Sequence, residues 1–508
     1  PMKKKIYITT PIFYVNDLPH IGHAYTTIIC DALARFYRLN DFNVLFTTGT
    51  DEHGLKVEKA AQKNGMTPNS FVNKVSQNFK ELLKKIDSTN SDFIRTTENR
   101  HEIACKKFWN ILCKNNQVYL SKYKGWYSIK DESFYQEKEL IKKNDSFFTA
   151  DNEKVEWIEE ESFFFKLSEW ENSLLSYYEK YPEFIQPKSR RNEVISFVKS
   201  GLKDLSISRT SFKWGINVED HNNHIMYVWI DALVNYLTSL GYPNFKEKKN
   251  YWNECIHVIG KDILKFHAVY WPAMLMAAKL PLPKKIFAHG WWTNEGKKIS
   301  KSLGNSIDPN KIIDNFGLDQ FRYFLLREVT LGQDGDFSEK ALKNRVNSDL
   351  SNNLGNLVQR TIKFLFKNFE GVLPSQLNLN SIDNYPLKDA YLLFQKVEKL
   401  INNLELSKGI DEIFIFISKL NKFMDESEPW NLIKDDREST ARVLTELIES
   451  FRVIGIILQP FLPIASKLLL DTLNIDNKLR TFEYLNSKNF LNKGHKLNEP
   501  KALFPRFE

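Results

Sequence analysis

From residue 6 to residue 113, short apolar runs alternate with amphipathic stretches, and this alternation restricts the fold more than any other feature. Ile6 to Thr10, Val44 to Thr48 and Asp92 to Thr96 read as buried strands. Helical periodicity follows each of them: over His20 to Leu39, up to Lys63 with a restart at Thr67-Pro68, and over His101 to Cys113. Strands alternating with helices predict a parallel, doubly wound sheet, whose ligands bind beyond the C-terminal ends of the strands. Gly49-Thr50-Asp51-Glu52-His53-Gly54 is a polar loop at such an end.

The pattern changes from about residue 118 to residue 224, where strand-like runs and turns crowd together before two helical stretches. It resumes at Ile225 to Trp229, expected to be a strand, with further strands at Cys255 to Ile259 and Lys285 to His289. Beyond Ser338 nearly everything has helical periodicity. The expected architecture is an α/β, doubly wound, Rossmann-like catalytic domain in two parts (1–117 and 225–346), split by a mixed α/β insertion (118–224) and followed by an α-helical bundle (347–508). A chain of 508 residues is long enough for several cores. No apolar run is long enough to span a bilayer. The start leads from Met2-Lys3-Lys4-Lys5 into a strand rather than a signal-type apolar core, so a cytoplasmic protein is expected. The net charge of +8 is compatible with a polyanionic partner without requiring one. The four cysteines include no Cys-x-x-Cys pair, which argues against a zinc knuckle or a disulfide framework.

Two short stretches carry chemistry. In His20-Ile21-Gly22-His23 the histidines lie three apart at a helix N-terminus, where free N–H groups and the helix dipole favour phosphate. Gly22 removes a side chain where a flat purine can approach. The alternatives are a metal-ligand pair, for which no third ligand lies nearby, or two surface histidines. In Lys298-Ile299-Ser300-Lys301-Ser302, small and polar residues surround lysines able to neutralise a departing pyrophosphate. The alternative there is a solvated basic loop. Asp51 can pair with an ammonium and His53 can reach a nucleotide, or both can simply cap their loop. Trp229, Ala232 and Tyr236 share one helical face, which suits a core or a small apolar pocket. Gly260 and Asp262 end another strand, with Asp262 placed for a ribose and His267 about one turn further on.

With these residues in view, the chain resembles the class I aminoacyl-tRNA synthetases, and among them the methionyl-tRNA synthetase family, nearly end to end. The signature pair is similar to the family's His-Ile-Gly-His and Lys-Met-Ser-Lys-Ser, with Ile299 replacing Met. Tyr14 after Ile12-Phe13, the Gly49 to Gly54 loop, the Trp229 to Tyr236 segment and His267-x-x-x-Trp271 are more specific to that family. The resemblance implies ligation of L-methionine to tRNA(Met) through methionyl-adenylate, with ATP and Mg²⁺. Asp51 then binds the methionine ammonium, while Ile12, Tyr14, Trp229, Ala232, Tyr236, Ile263, His267 and Trp271 surround the side chain. The Tyr236 hydroxyl is expected to donate to the sulfur. His20, His23, Lys298 and Lys301 are the implied catalytic residues, and Gly22, His53, Gly260, Asp262 and Lys301 hold the nucleotide. In the bundle, Asn356, Arg360, Pro429 and Trp430 are expected to read the anticodon, Trp430 by stacking.

Two departures shape further expectations. Gly125-Trp126-Tyr127-Ser128-Ile129-Lys130-Asp131-Glu132-Ser133-Phe134-Tyr135 stands where many relatives carry zinc-ligating cysteines, so no structural zinc and no other metal site is expected. The appended C-terminal dimerising domain of some relatives is absent, which favours a monomer; neither a membrane nor DNA is expected as partner. Synthetases for leucine, isoleucine or valine carry a larger editing insertion, the cysteine enzyme needs zinc ligands, and a nucleotidylyltransferase does not account for the bundle. These remain the rival readings, together with an inactive tRNA-binding relative.

Overall fold

The computed structural model describes residues 2–16, 18–300 and 303–508. The described chain forms two compact units, a sheet unit (residues 5–19 and 45–289) and a helical unit (residues 2–4, 20–44 and 290–508).

The sheet unit is built on a seven-stranded sheet. Its strands are β1 (Lys5–Thr9), β2 (Phe13–Tyr14), β3 (Asn43–Asp51), β4 (Asp92–Arg95), β5 (Ile185–Gln186), β6 (Cys255–Gly260) and β7 (Lys285–His289), in the order β5-β7-β6-β1-β3-β2, with β4 also on β3. The pairings β1/β6, β6/β7, β5/β7, β2/β3 and β3/β4 are parallel, as the alternation predicts. β3 runs close to β4: a Cβ on Gly49 would lie 2.0 Å from the Ile94 carbonyl oxygen, so only glycine fits. β5 comes from within the 118–224 stretch and completes the sheet edge beside β7. The rest of that stretch includes a long antiparallel ribbon, Val118–Ser128 against Glu156–Phe165, in which Lys122 and Lys124 face Glu161 and Glu159.

One expected strand is corrected. Ile225 to Trp229 is not part of the parallel sheet. The strand is His221–Met226, in a separate antiparallel sheet with Ser208–Arg209 and Asn217–Val218, and the chain is helical from Val228 to Thr238. Short apolar runs carry no periodicity that separates a strand from a buried helix start. Here Tyr227 N–H donates to the Ile207 carbonyl and ends the strand, and Asp231 sits in the first helical turn, where a carboxylate is favoured.

In the helical unit, the helix Ile21–Leu39 belongs with the C-terminal half of the chain rather than with the strands that flank it in sequence. Asp31 is the reason at its centre. Arg322, in the helix Leu318–Arg327, donates to the Asp31 carboxylate at 2.7 Å and to the carbonyls of Pro460 and Phe461 at 2.8 and 3.2 Å, with both charged side chains fully buried. Further along, Phe36 packs on Phe394 and Phe482, and Tyr37 donates to Asn402 at 2.8 Å. The helices Asn356–Phe369, Leu387–Asn402, Leu406–Ser427, Pro429–Asp435 and Arg437–Leu458 are among the others that pack in this unit. No helix among the described residues is long and apolar enough to cross a membrane.

Candidate active site

Asp51 closes β3 and is paired in register with Tyr14 of β2. It is 2% exposed, and its Oδ1 has no hydrogen-bond partner. Burial pushes its carboxyl well above the ordinary range, and the charges of Asp231 and Glu132 push it further. Its neighbour Glu52 is fully occupied by Arg95, which donates to both carboxylate oxygens at 2.8 and 2.9 Å, and by Thr97 at 2.8 Å. Asp51 is thus a buried carboxyl group whose Oδ1 has no donor and whose charged form lacks a cationic partner.

Beside it runs a chain of buried polar groups. His53 Nδ1 and His101 Nε2 each lie 2.7 Å from an oxygen of Asp231, and His101 Nδ1 lies 2.8 Å from the Thr238 hydroxyl. Burial opposes ionisation of Asp231, but the two imidazoles prevail and hold its carboxyl at about 2. His53, expected at the nucleotide, is therefore nearly buried and tied to Asp231. Cys105, one helical turn beyond His101, brings its sulfur to 3.2 Å from Nε2. His101, Cys105 and Asp231 are ligand types gathered within 4.8 Å, yet the 2.7 Å separations are hydrogen-bond lengths, shorter than two ligands keep around a shared ion.

The helix Val228–Thr238 presents Trp229, Ala232 and Tyr236, of which Ala232 and Tyr236 are buried. Trp229 stacks face to face on Phe266 at 3.9 Å and meets His267 edge-on, and its Nε1 has no hydrogen-bond partner. His267 lies in a π-turn, Phe266–Tyr270, and Trp271 opens the helix Trp271–Ala277 that follows. His267 Nδ1 lies 3.0 Å from the Ile263 carbonyl, which can only accept, so the ring hydrogen is on Nδ1. Burial lowers this imidazole to about 4, so Nε2 is an acceptor near neutrality, and the Tyr236 hydroxyl donates to it at 2.7 Å. The tyrosine hydrogen expected to reach a sulfur is thus already committed to His267. Trp271 is fully buried and donates to His257 at 3.2 Å. Ile12, Tyr14, Trp229 and Ile263 are half-buried, whereas Ala232, Tyr236, His267 and Trp271 are buried. At the end of β6, Gly260 makes room for Asp262, since a Cβ there would lie 2.5 Å from its Oδ1; the Asp262 carboxylate is exposed.

In the helical unit, His20 and His23 form a capping pair on the helix Ile21–Leu39. His20 Nδ1 accepts from Gly22 N–H, and His23 Nδ1 accepts from His20 N–H, both at 3.0 Å, with the rings 3.9 Å apart. Both Nδ1 atoms accept, so each ring carries its hydrogen on Nε2. Burial, reinforced by His20, lowers His23 well below the ordinary range, leaving it a neutral donor. The expectation of open backbone N–H groups is revised accordingly: Gly22 N–H serves His20, and Ile21 N–H donates to the Ile307 carbonyl at 3.2 Å. The space that Gly22 leaves is filled by the His20 ring, 2.8 Å from where a Cβ would be.

Lys298 is exposed in the short strand Lys297–Lys298, which pairs with Trp292–Asn294, and its ammonium lies 6.0 Å from the centroid of Trp291. Asn305 holds the loop that follows, accepting from Ser300 N–H and donating to the Lys298 carbonyl, both at 3.0 Å. Lys301 and Ser302 lie outside the described residues. Farther along, Asn356 is exposed, Arg360 reaches Asp425 at 3.7 Å while its Nε has no hydrogen-bond partner, and Pro429 opens the helix whose next residue, Trp430, is 40% exposed.

Parallel sheet, paired histidines on a glycine-spaced helix start and a lysine hairpin define a class I aminoacyl-tRNA synthetase. The family described as "tRNA synthetases class I (M)" matches residues 6–146 and 141–362, and the "anticodon binding domain of methionyl tRNA ligase" matches residues 379–508. The methionine–tRNA ligases of Rickettsia felis and Rickettsia bellii are each 50% identical to this chain, over all of it and 99% and 100% of their own lengths. The structure of Mycobacterium tuberculosis methionyl-tRNA synthetase in complex with methionyl-adenylate is 42% identical, covers 99% of this chain with all of its own, and superposes with a TM-score of 0.95. This chain belongs to the methionyl-tRNA synthetase family.

Glu132, His101 and Trp214 were not singled out in the sequence. Each acts on the Asp51 loop or its neighbours from more than forty positions away, and no local periodicity or spacing marks such a contact.

Proposed function

We propose that the protein activates L-methionine with ATP and transfers it to tRNA(Met), releasing pyrophosphate and then AMP. The observation that carries this reading is Asp51: a buried carboxyl group with an unpartnered oxygen, in the same unit as a cluster of buried aromatic side chains. A free amino acid offers the ammonium that Asp51 lacks, and an unbranched thioether suits Trp229, Ala232, Tyr236, His267 and Trp271. Methionine carboxylate attacks the α-phosphorus of ATP, and the bond to pyrophosphate breaks. The Nε2–H groups of His20 and His23 donate to the phosphate oxygens as neutral hydrogen bonds, and the Lys298 and Lys301 ammoniums stabilise charge on the leaving pyrophosphate. Asp262, over Gly260, accepts from the ribose hydroxyls. Mg²⁺ enters with the ATP phosphates, and no protein ligand is assigned to it. A terminal hydroxyl of the tRNA then attacks the methionyl carbonyl and AMP leaves. Positioning and electrostatics account for both steps without a covalent enzyme intermediate.

The domain limits near residues 117, 224 and 346 belong to the same proposal, as do a cytoplasmic location and the monomer. Amino-acid-dependent ATP–pyrophosphate exchange across the twenty amino acids, without tRNA, tests the activity. Exchange with methionine alone supports it, exchange with another amino acid overturns the pocket assignment, and no exchange at all overturns the activity.

For the tRNA, the exposed indole of Trp430 offers a stacking face, and Arg360, 3.7 Å from Asp425, offers a cation. Trp430→Ala is expected to lower tRNA charging by about tenfold or more, from the roughly 1–3 kcal/mol of one stacked base. It should leave pyrophosphate exchange at wild-type rates. Equal losses in both assays would instead mark Trp430 as structural.

A further inference from the structure

Two segments of the 118–224 stretch grip the loop after β3. Trp214 holds it at two points: its indole N–H donates to the Glu52 carbonyl at 2.6 Å, and its own carbonyl accepts from Gly54 N–H at 3.0 Å. Glu132 holds it from the other side of the insertion. Its Oε1 accepts Lys56 N–H at 2.6 Å, in the first turn of the helix Leu55–Lys63, whose cap residue Gly54 has no side chain to offer. Its Oε2 accepts the Tyr14 hydroxyl at 3.1 Å. A Cβ on Gly54 would lie 2.4 Å from that same oxygen, so the glycine allows the carboxylate its approach. Glu132 itself has a φ of 48° and is 1% exposed. A glutamate held in the left-handed region and buried needs surroundings that demand it, and two donors from different segments supply that demand.

We propose that Glu132 is a positioning residue for the amino-acid substrate. By bonding Tyr14 and the start of the helix Leu55–Lys63 together, it sets the spacing between Tyr14 and the loop of Asp51, so the insertion shapes the ammonium end of the pocket. The proposal rests on the reading of Asp51 and Tyr14 as methionine-binding residues. Charge matters here as well as shape. Both partners donate, and a carboxylate accepts from both, whereas a glutamine accepts from one and turns its NH₂ toward the other. Burial raises this carboxyl to about 7, against the opposing pull of the Lys56 N–H and the Tyr14 hydroxyl.

The test is pyrophosphate exchange on the full chain, varying methionine and ATP separately, for Glu132→Gln, Glu132→Ala, Tyr14→Phe and the Glu132→Gln/Tyr14→Phe double variant. Glu132→Gln should raise KM for methionine about tenfold, with kcat within about twofold and KM for ATP unchanged. Tyr14→Phe should add little in the Gln background, because the bond it removes is already weakened. An unmoved methionine KM, or equal rises for methionine and ATP, overturns the positioning role. If Glu132→Ala does not fold, the isosteric Gln variant still decides. A wild type that exchanges with no amino acid overturns the methionine reading and this one together, whereas wild-type exchange with an unmoved variant KM overturns only the role of Glu132.

Discussion

Asp51→Asn is expected to lower kcat/KM for methionine in pyrophosphate exchange by about a thousandfold, with KM for ATP nearly unchanged. Asparagine keeps the size of the side chain and removes its charge. An ammonium brought into a buried site without its counter-ion loses a charge-assisted bond and keeps its desolvation cost, a loss of roughly 2–5 kcal/mol. About 4 kcal/mol within that range corresponds to three powers of ten. The same residue sets a pH dependence. Burial and the neighbouring charges of Asp231 and Glu132 raise its carboxyl pKa, so on the acid side a proton occupies the site that the ammonium needs. Methionine KM should therefore fall as pH rises through this raised pKa, and that limb should vanish in Asp51→Asn. A variant that binds methionine normally but turns over slowly would remove Asp51 from the ammonium site and assign it to the chemical step.

Arg322→Ala is expected to destabilise the helical unit by about 3–5 kcal/mol, the usual consequence of breaking a buried ion pair from one side. Asp31 keeps Arg35 at 2.8 Å, but it loses its fully buried partner, and the carbonyls of Pro460 and Phe461 lose their donors. Urea unfolding followed by circular dichroism measures the effect. Pairing Arg322→Met with Asp31→Asn should cost less than the sum of the single changes, because residues in one network couple. Strict additivity would mean the two side chains do not stabilise each other. Since Asp31 lies in the helix that starts with His20 and His23, partial loss of exchange activity at temperatures where the wild type is intact is the expected companion effect.

Many of the candidate residues fall in contiguous strings, which makes such strings legible before any fold is known. His20 to His23, Gly49 to Gly54, Trp229 to Tyr236 and Lys298 to Ser302 are local strings whose chemistry follows from residue type and from spacing on a helix or at a strand end. The helix caps are local too: Thr67 accepts from Ser70 N–H at the restart expected at Thr67-Pro68, and Asp308 accepts from Asn310 N–H. The strand at Ile225 to Trp229 was misplaced because an apolar run reports burial without saying what buries it.

The sequence by itself determined the alternation of strands and helices over residues 6–113, the helical C-terminal third, and which short strings are candidates for chemistry, because periodicity and side-chain type act within a few residues. Only the tertiary structure decided that the helix Ile21–Leu39 belongs with the helical unit through Asp31 and Arg322, that the ring hydrogens of His20 and His23 are on Nε2, that the Tyr236 hydroxyl donates to His267, and that Glu132 reaches Tyr14 across 118 positions. A hydrogen bond is made to whatever donor or acceptor lies within about 3 Å, and for these groups chain folding, rather than sequence distance, sets that neighbour.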